Sequence, residues 1–571
     1  MPERAGPTTP AVPPRLWGVF ALSLTLNLWG IWFGLPDSWH PDELVRGSAA
    51  MAREFTLQPP WYLYGSMHYY LLLAVMTPTY LVAELVGLPP ETQKTLVYLA
   101  ARALSAVLGA GCVVLTYLVA QTLFNRTAAL IAALLLATSV GLVNISHFAT
   151  VDVPMLFWMM AAYFMSARVL NGAGVREHLL AGAFAGMAAG MKYVGGVALL
   201  ALVAAYGLRQ CERRARYLLV GVVAAGGAFL LVNLPTLFNS CAFFEGIIMD
   251  NAFNTVVGAG SGEAGEVLVL RGILDALGMP VFFLVLLALI YAAVGVLRKQ
   301  DIRQNLFLAS TLLPFFLTIS NIHYASIRHV LPMVPPLLIL VGKMFADLIG
   351  RSAARGVRHW LGYGMLALAI ISSAVYTLSA ELQFTFDGRD LATAWIMGHA
   401  APGATIEVTS YGPRIPDERF VVEKRPPLPN IEAALADLRD AAVYRALHPV
   451  YLRYKSGAEA LGLCEPRARH YVGWYERAKA YIARQLATFD PTMAGLHARG
   501  PDLLVVSSLD YDHFLNDAAS PDGRFFEQLF ENGGRYRQVA ELHYELLPWL
   551  DPELEFINPT VRIYQKQPAE P

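Results

Sequence analysis

Three groups of ionisable side chains sit in this chain where the flanking sequence is apolar. The first is Trp39-His40-Pro41-Asp42-Glu43. The second is His147-Phe-Ala-Thr-Val-Asp152-Val-Pro154. The third set is cationic: Lys192 within Gly190-Met-Lys-Tyr193, and Arg328 and His329 at the end of Ser320-Asn-Ile-His323-Tyr324-Ala-Ser-Ile. Ionisable groups at membrane depth cost on the order of 2.5–3.5 kcal/mol even on insertion scales, so each needs a reason. Local reasons exist. Pro41, Asp42 and Glu43 can start a helix over 43–53, where acidic groups suit the N-terminal dipole. Asp152 can cap a helix that begins at Val153. Lys192 and Arg328 can snorkel to lipid headgroups.

Together the three sets point further. A carboxylate can take a proton from a hydroxyl nucleophile. The planar fork of arginine and the point charge of lysine both suit phosphate, and cations stabilise a phosphate that leaves. A transferase needs this combination if its donor is a lipid phosphate in the outer leaflet. A transporter would place its charges deeper, near the bilayer midplane on broken helices. Here they sit mostly at the ends of apolar runs, which favours surface chemistry over passage.

The elements that must position these groups are membrane helices. Of 571 residues, 56% are hydrophobic and 15% charged, against roughly 45–50% and about 25% in an average globular protein. The mean hydropathy is +0.44. Disorder, coiled coil and collagen are excluded. A net charge of −1 leaves no basic field for nucleic acid. A span needs about 20 apolar residues, and candidates are 16–35, 96–121, 128–144, 153–170, 216–234, 276–297, 305–320, 328–349 and 358–379. The run 178–208 has basic residues beyond both ends and a glycine-rich break at Lys192. Because cytoplasmic loops collect Lys and Arg, it is predicted to cross twice, as two short helices meeting near Lys192 at the outer face. Residues 66–87 are long enough to span, but counting them breaks the charge alternation downstream. They are predicted to lie in the outer interface.

The expectation is a polytopic α-helical membrane protein with about eleven transmembrane helices, an inside N-terminus and an uncleaved signal-anchor as first span. The outside then holds 36–95, the turn 145–152, the loop 235–275, the turn 321–327 and everything from 381. The domains are predicted as a membrane domain, 1–380, and an extracytoplasmic α/β domain, 381–571. In the tail, 404–409, 502–507 and 561–564 read as strands, and 389–399, 431–447 and 474–488 as helices. Four cysteines are no disulfide scaffold; only Cys241 and Cys464 can share an external compartment, where a bridge between them is possible. Asp250 and the glycines 258–262 suggest a mobile segment in the loop 235–275, alongside the alternative of a solvated connector.

From residue 16 to about 350 the chain resembles the C-type membrane glycosyltransferases, within them the lipid-carrier-dependent branch that includes protein O-mannosyltransferases and the lipid A aminoarabinose transferase. The resemblance rests on ordered pieces. They are His40-Pro-Asp-Glu43, Tyr69-Tyr-Leu-Leu72, Arg102 with a long apolar span to Leu123-Phe-Asn-Arg126, His147 to Pro154, Gly186-Met-Ala-Ala-Gly-Met-Lys-Tyr193, and Arg328-His-Val-Leu-Pro332. His329 stands where an aromatic residue is more usual. Their order is specific to the superfamily and not to one activity.

The resemblance implies a polyprenyl-phosphate sugar (undecaprenyl or dolichyl) as donor and an inverting, metal-independent transfer to a lipid, glycan or protein acceptor. It makes Asp42 the general base, with Glu43 beside it, and gives Asp152 the acceptor or a share of that role. Lys192 and Arg328 would hold the donor phosphate, with His323 and His329 as further candidates; His40, His147, Tyr193 and Tyr324 complete the candidate set. No cofactor is expected. A divalent cation held by Asp42, Glu43, Asp152 and His147 stays open, as do transfer of a diphosphate-linked oligosaccharide and transport of a lipid-linked sugar. The expected location is the cytoplasmic membrane.

Overall fold

The computed structural model describes residues 13–568, apart from 257–263, 322–325, 352–356, 429–435, 438, 461–463, 465–470, 516–519, 532, 548–549 and 553. The chain divides into two units. The first comprises 1–380 and 448–468, the second 381–447 and 469–571. The segment 448–468 therefore departs from the expected boundary: it groups with the helical unit. Tyr454 donates to Ser240 Oγ at 2.6 Å, and a disulfide joins Cys241 to Cys464, whose Cα atoms are 5.3 Å apart.

The first unit is helical. Among the described residues, seven helices are long and apolar enough to cross a membrane. They are eight if the bent pair Arg126–Ala137 and Val140–Ser146, at 53°, forms one span. Three of the eleven expected spans are shorter: Pro14–Leu28 has 15 residues, Val175–Met191 has 17, and Tyr193–Leu208 falls below the same length. Length and composition alone thus support seven or eight.

Polar contacts define two ends of this unit. At one end Arg168 pairs with Glu177 at 3.1 Å, and Lys343 pairs with Asp301 at 2.9 Å and with Asp347 at 2.8 Å. Asn171 donates to Thr122 O at 2.7 Å. The run 175–208 starts and finishes there, because Arg209 reaches His178 Nε2 and Gly172 O, both at 3.4 Å. Between those points the helix Val175–Met191 breaks at Lys192, which is extended (φ −143°, ψ 130°), and a 3-10 turn over Tyr193–Ala198 leads into Leu199–Leu208. The run therefore goes out and back, with Lys192 at the far end. Gly182 and Gly186 lie against the backbone of Gly221 and Ala225, so added Cβ atoms would overlap it. Small residues allow this close helix approach.

The helix Met67–Leu85 is not among the helices long and apolar enough to cross a membrane. It leaves from His68, whose ring meets Ala149 O at 3.2 Å, and a short turn leads into Pro90–Leu123. Tyr69, Leu72 and Met76 pack on Tyr98 and Ala101, while Leu81, Val82, Leu85 and Val86 are exposed. An exposed apolar face of this kind suits an interfacial helix.

The loop 235–275 is mostly helical, over Ser240–Val256 and Gly265–Leu277. Ala242 and Phe243 pack on Tyr62, with Tyr193 alongside. The glycines 258–262 lie outside the described residues.

The second unit holds a five-stranded sheet of order β2-β1-β3-β5-β4, with β1 Thr405–Val408, β2 Val421–Lys424, β3 Leu503–Ser507, β4 Tyr536–Leu542 and β5 Val561–Lys566. β1 runs parallel to β2 and β3; β5 is antiparallel to β3 and β4. β3 is buried throughout. Leu503 and Val505 face Ala392 and Ile396 of the helix Gly388–His399, while Leu504 and Val506 face Phe525, Phe526 and Leu529 of Pro521–Glu531. This is the period-2 alternation of a strand covered on both faces. Asp510, after β3, accepts from the Tyr411 amide at 3.0 Å. Burial pushes its carboxyl up to about 6. The expected strands 404–409, 502–507 and 561–564 are found, whereas β2 and β4 were not anticipated. The expected helix 431–447 lies partly outside the described residues; a helix runs over Ala442–Ala460.

Candidate active site

The two adjacent acids of the first loop have different fates. Glu43 turns inward, its side chain 1% exposed, and takes Arg102 in a two-pronged pair: Nε to Oε1 and Nη2 to Oε2, both 2.8 Å. Its remaining lone pairs accept from the Ala149 amide and from Ser38 Oγ, both at 3.0 Å. Arg102 is itself completely buried and also donates to Ile31 O at 2.8 Å and Phe33 O at 2.7 Å. Burial pushes the Glu43 carboxyl up, but Arg102 and the Ala149 amide outweigh it and hold it below the ordinary carboxylate range. Glu43 thus ties the first loop, the second loop and the helix Pro90–Leu123 together. Both of its oxygens are thereby occupied by donors from the fold.

Asp42 points the other way. Its side chain is 34% exposed and forms an ion pair with Arg328. Its amide donates to His40 Nδ1 at 3.2 Å. The His40 ring rests on Phe148, with centroids 4.3 Å apart, so His40 shapes the turn that presents Asp42.

Asp152 opens the helix Asp152–Leu170 but does not cap it. Its buried carboxylate accepts from Lys192 Nζ at 2.9 Å. The snorkelling account of Lys192 is therefore set aside. The backbone break that exposes Lys192 is held from the first loop. The Gly65 amide donates to Met191 O at 3.2 Å, and the Ser66 amide to Asn233 Oδ1 at 2.8 Å. A Cβ on Gly65 would overlap the carbonyl of Gly190. Tyr193 donates to both Tyr62 O at 2.9 Å and Tyr64 O at 3.0 Å. Its hydroxyl is thereby committed to the backbone.

Tyr64 is near the charges of both ion pairs. Lys192 Nζ is 5.7 Å from its ring centroid. Burial, and then the negative charge of Asp42, push its phenol well above the ordinary value; Asp152 and Asp250 add to this and Arg328 opposes it.

The histidines divide. His329 Nδ1 faces Ser326 Oγ at 3.1 Å and accepts from the Ser326 amide at 3.2 Å, closing a capping box. Both ring nitrogens of His147 face backbone carbonyls, Nδ1 that of Val143 at 2.7 Å and Nε2 that of Trp29. His147 thus helps to hold this turn. His323 and Tyr324 lie outside the described residues. No group of three or more His, Cys, Asp or Glu suited to a metal ion is present among the described residues.

Two contributors had no assigned role in the sequence reading. Arg102 carried a signal, a lone arginine inside an apolar run. Tyr64 carried a weaker one, the aromatic cluster Trp61-Tyr-Leu-Tyr64 ahead of Gly65.

No curated protein matches the chain. Among solved structures, the oligosaccharyltransferase of Archaeoglobus fulgidus in its apo form is 13% identical, with TM-score 0.45, over 69% of this chain. The chain spans 62% of that protein's length. ArnT from Cupriavidus metallidurans bound to undecaprenyl phosphate is 16% identical, with TM-score 0.43, over 97% of this chain and 98% of that one. AglB from Archaeoglobus fulgidus, in complex with an inhibitory peptide and a dolichol-phosphate, is 12% identical, with TM-score 0.47, over 95% and 75%. The family model of dolichyl-phosphate-mannose-protein mannosyltransferases matches residues 18–241, less than half of the chain. Over that segment, which carries Asp42, Glu43, Arg102, Asp152 and Lys192, the chain is similar to this membrane glycosyltransferase family.

Proposed function

We propose that this protein moves a sugar from a polyprenyl-phosphate donor to an acceptor hydroxyl at the outer face of the cytoplasmic membrane, with inversion, without a metal, and with Asp42 as general base. One observation carries the reading: two carboxylates at one end of the bundle are each paired with a cation suited to phosphate, Asp42 with Arg328 and Asp152 with Lys192. The similarity of residues 18–241 to a lipid-phosphate-sugar-dependent family supports it.

A donor phosphodiester carries one negative charge and competes with these carboxylates for Arg328 and Lys192. Its arrival draws Arg328 away from Asp42, which is the more exposed of the two acids. The freed carboxylate then accepts the proton of the acceptor hydroxyl. The acceptor oxygen bonds to the anomeric carbon as the bond from that carbon to the phosphate oxygen breaks. The electron pair departs with polyprenyl phosphate, whose added charge Lys192 and Arg328 stabilise. A single displacement inverts the anomeric centre. Asp152 keeps Lys192 in place.

The Cys241–Cys464 disulfide suits an oxidising compartment. It favours an orientation in which the loop 235–275 and the tail are extracytoplasmic and the N-terminus is cytoplasmic. The test uses purified protein in lipid with a panel of radiolabelled polyprenyl-phosphate hexoses and pentoses, with and without chelator. Release of polyprenyl phosphate from one donor, unaffected by chelator, is expected. Activity lost with chelator and restored by magnesium or manganese would refute the metal-independent transfer. Absence of turnover with every monosaccharide donor and acceptor class would refute the donor assignment.

A further inference from the structure

Tyr64 is held as firmly as the charged groups around it, yet the ion pairs described above do not use its hydroxyl. Its carbonyl takes the Tyr193 hydroxyl, the next amide, Gly65 N, is bonded to Met191 O, and Ser66 N is bonded to Asn233. These contacts pin the Tyr62–Ser66 segment to the backbone break that carries Lys192. Tyr64 is half-buried, its ring centroid lies 5.7 Å from the Lys192 ammonium, and it is within electrostatic reach of Asp42, Asp152 and Arg328. A phosphate held by Lys192 therefore lies near this ring.

We propose that Tyr64 is a catalytic residue whose neutral hydroxyl donates a hydrogen bond to the phosphate of the departing lipid carrier; this rests on the lipid-phosphate transfer proposed above. As the anomeric carbon–oxygen bond breaks, the phosphate changes from a singly charged diester to a monoester that gains a second negative charge. The Tyr64 proton stays on its oxygen, and the acceptor's proton goes to Asp42. A donor aimed at charge that grows during reaction stabilises the transition state and product more than the bound donor.

Tyr64→Phe keeps the ring, its packing and its contact with Lys192, and removes only the hydroxyl. Expected is a roughly 10- to 100-fold fall in kcat, the range for a hydrogen bond to a charged group. Inhibition by added polyprenyl phosphate should weaken by a similar factor, while donor KM stays within about threefold and the unfolding temperature is unchanged. Wild-type kcat and product inhibition would overturn the proposal. So would a lowered unfolding temperature with donor and product affinities falling equally, which marks a structural role. Asp42→Asn run in parallel separates the two levels. If it is inactive while Tyr64→Phe is normal, only the role of Tyr64 fails. If it is fully active, the underlying reaction scheme fails with it.

Discussion

Replacing Glu43 with Gln tests the division of labour between the adjacent acids. The substitution keeps the shape of the side chain and one oxygen for Arg102 or the Ala149 amide, but removes the negative charge. Arg102 is 0% exposed; besides Glu43 it donates to the carbonyls of Ile31 and Phe33, and it lies over the rings of Tyr98 and Phe148. Breaking a buried pair by removing one partner costs about 3–5 kcal/mol, because a charge is left uncompensated. The amide retains part of the hydrogen bonding, so the lower end, about 3 kcal/mol, is expected. That is a roughly 150-fold change in the folding equilibrium at 1.36 kcal/mol per factor of ten. A paired change, Glu43→Leu with Arg102→Met, removes both charges and should recover most of the loss, since apolar replacement of a whole buried pair is often neutral or better. The assay is denaturant and thermal unfolding of the full chain in detergent, with turnover measured on the fraction that stays folded. The reasoning is refuted if Glu43→Gln matches wild type in stability but loses turnover as completely as an Asp42 variant. Glu43 would then belong to the chemistry.

Lys192→Ala should lower kcat/KM for the lipid-linked donor by roughly 10- to 150-fold, the loss of one charged hydrogen bond, and weaken inhibition by polyprenyl phosphate; unchanged kinetics would show that this ammonium serves only Asp152. Asp510 gives a pH prediction for the second unit. Its folded carboxyl titrates at about 6 against an ordinary 3.8 because burial disfavours the charge. Protonation is therefore favoured in the folded state, so its contribution is fully present below about pH 4 and is lost as pH rises through about 6. The difference is about 3 kcal/mol. Hydrogen exchange of β3 in the full chain should slow on going from pH 7 to pH 5, after correction for intrinsic exchange. Asp510→Asn should remove that dependence, and an unchanged dependence in this variant would assign it to another group.

The membrane helices were legible because hydropathy and charge alternation act over twenty residues at a time. The turn at Lys192 was legible from basic residues beyond both ends of 178–208 together with the glycines around the break. The same charge alternation argued that 66–87 stays on one side. The different partners of Asp42 and Glu43 were not legible. The two acids are neighbours in sequence, and what separates them is an arginine 59 residues downstream for one and 286 residues downstream for the other. Asp152 had a good local explanation as a cap, and a distant lysine displaced it. In the second unit, β1, β3 and β5 announced themselves as apolar runs, whereas the edge strands β2 and β4 are largely exposed and polar, so no burial pattern marks them. The association of 448–468 with the helical unit depends on Cys241 and Tyr454 contacts across more than 200 residues, beyond any local pattern.

The central claim is that Asp42 is the base and that its cation, Arg328, serves the donor phosphate. The most direct measurement compares wild type and Asp42→Asn, side by side, for single-turnover sugar transfer from the active polyprenyl-phosphate donor and for equilibrium binding of polyprenyl phosphate. The account predicts a fall in transfer of about 10²–10⁴-fold, the usual worth of a general base. Lipid-phosphate binding should be retained or tightened, because Arg328 no longer has a competing carboxylate. Transfer at the wild-type rate, or loss of lipid-phosphate binding in step with loss of transfer in a folded protein, would contradict it.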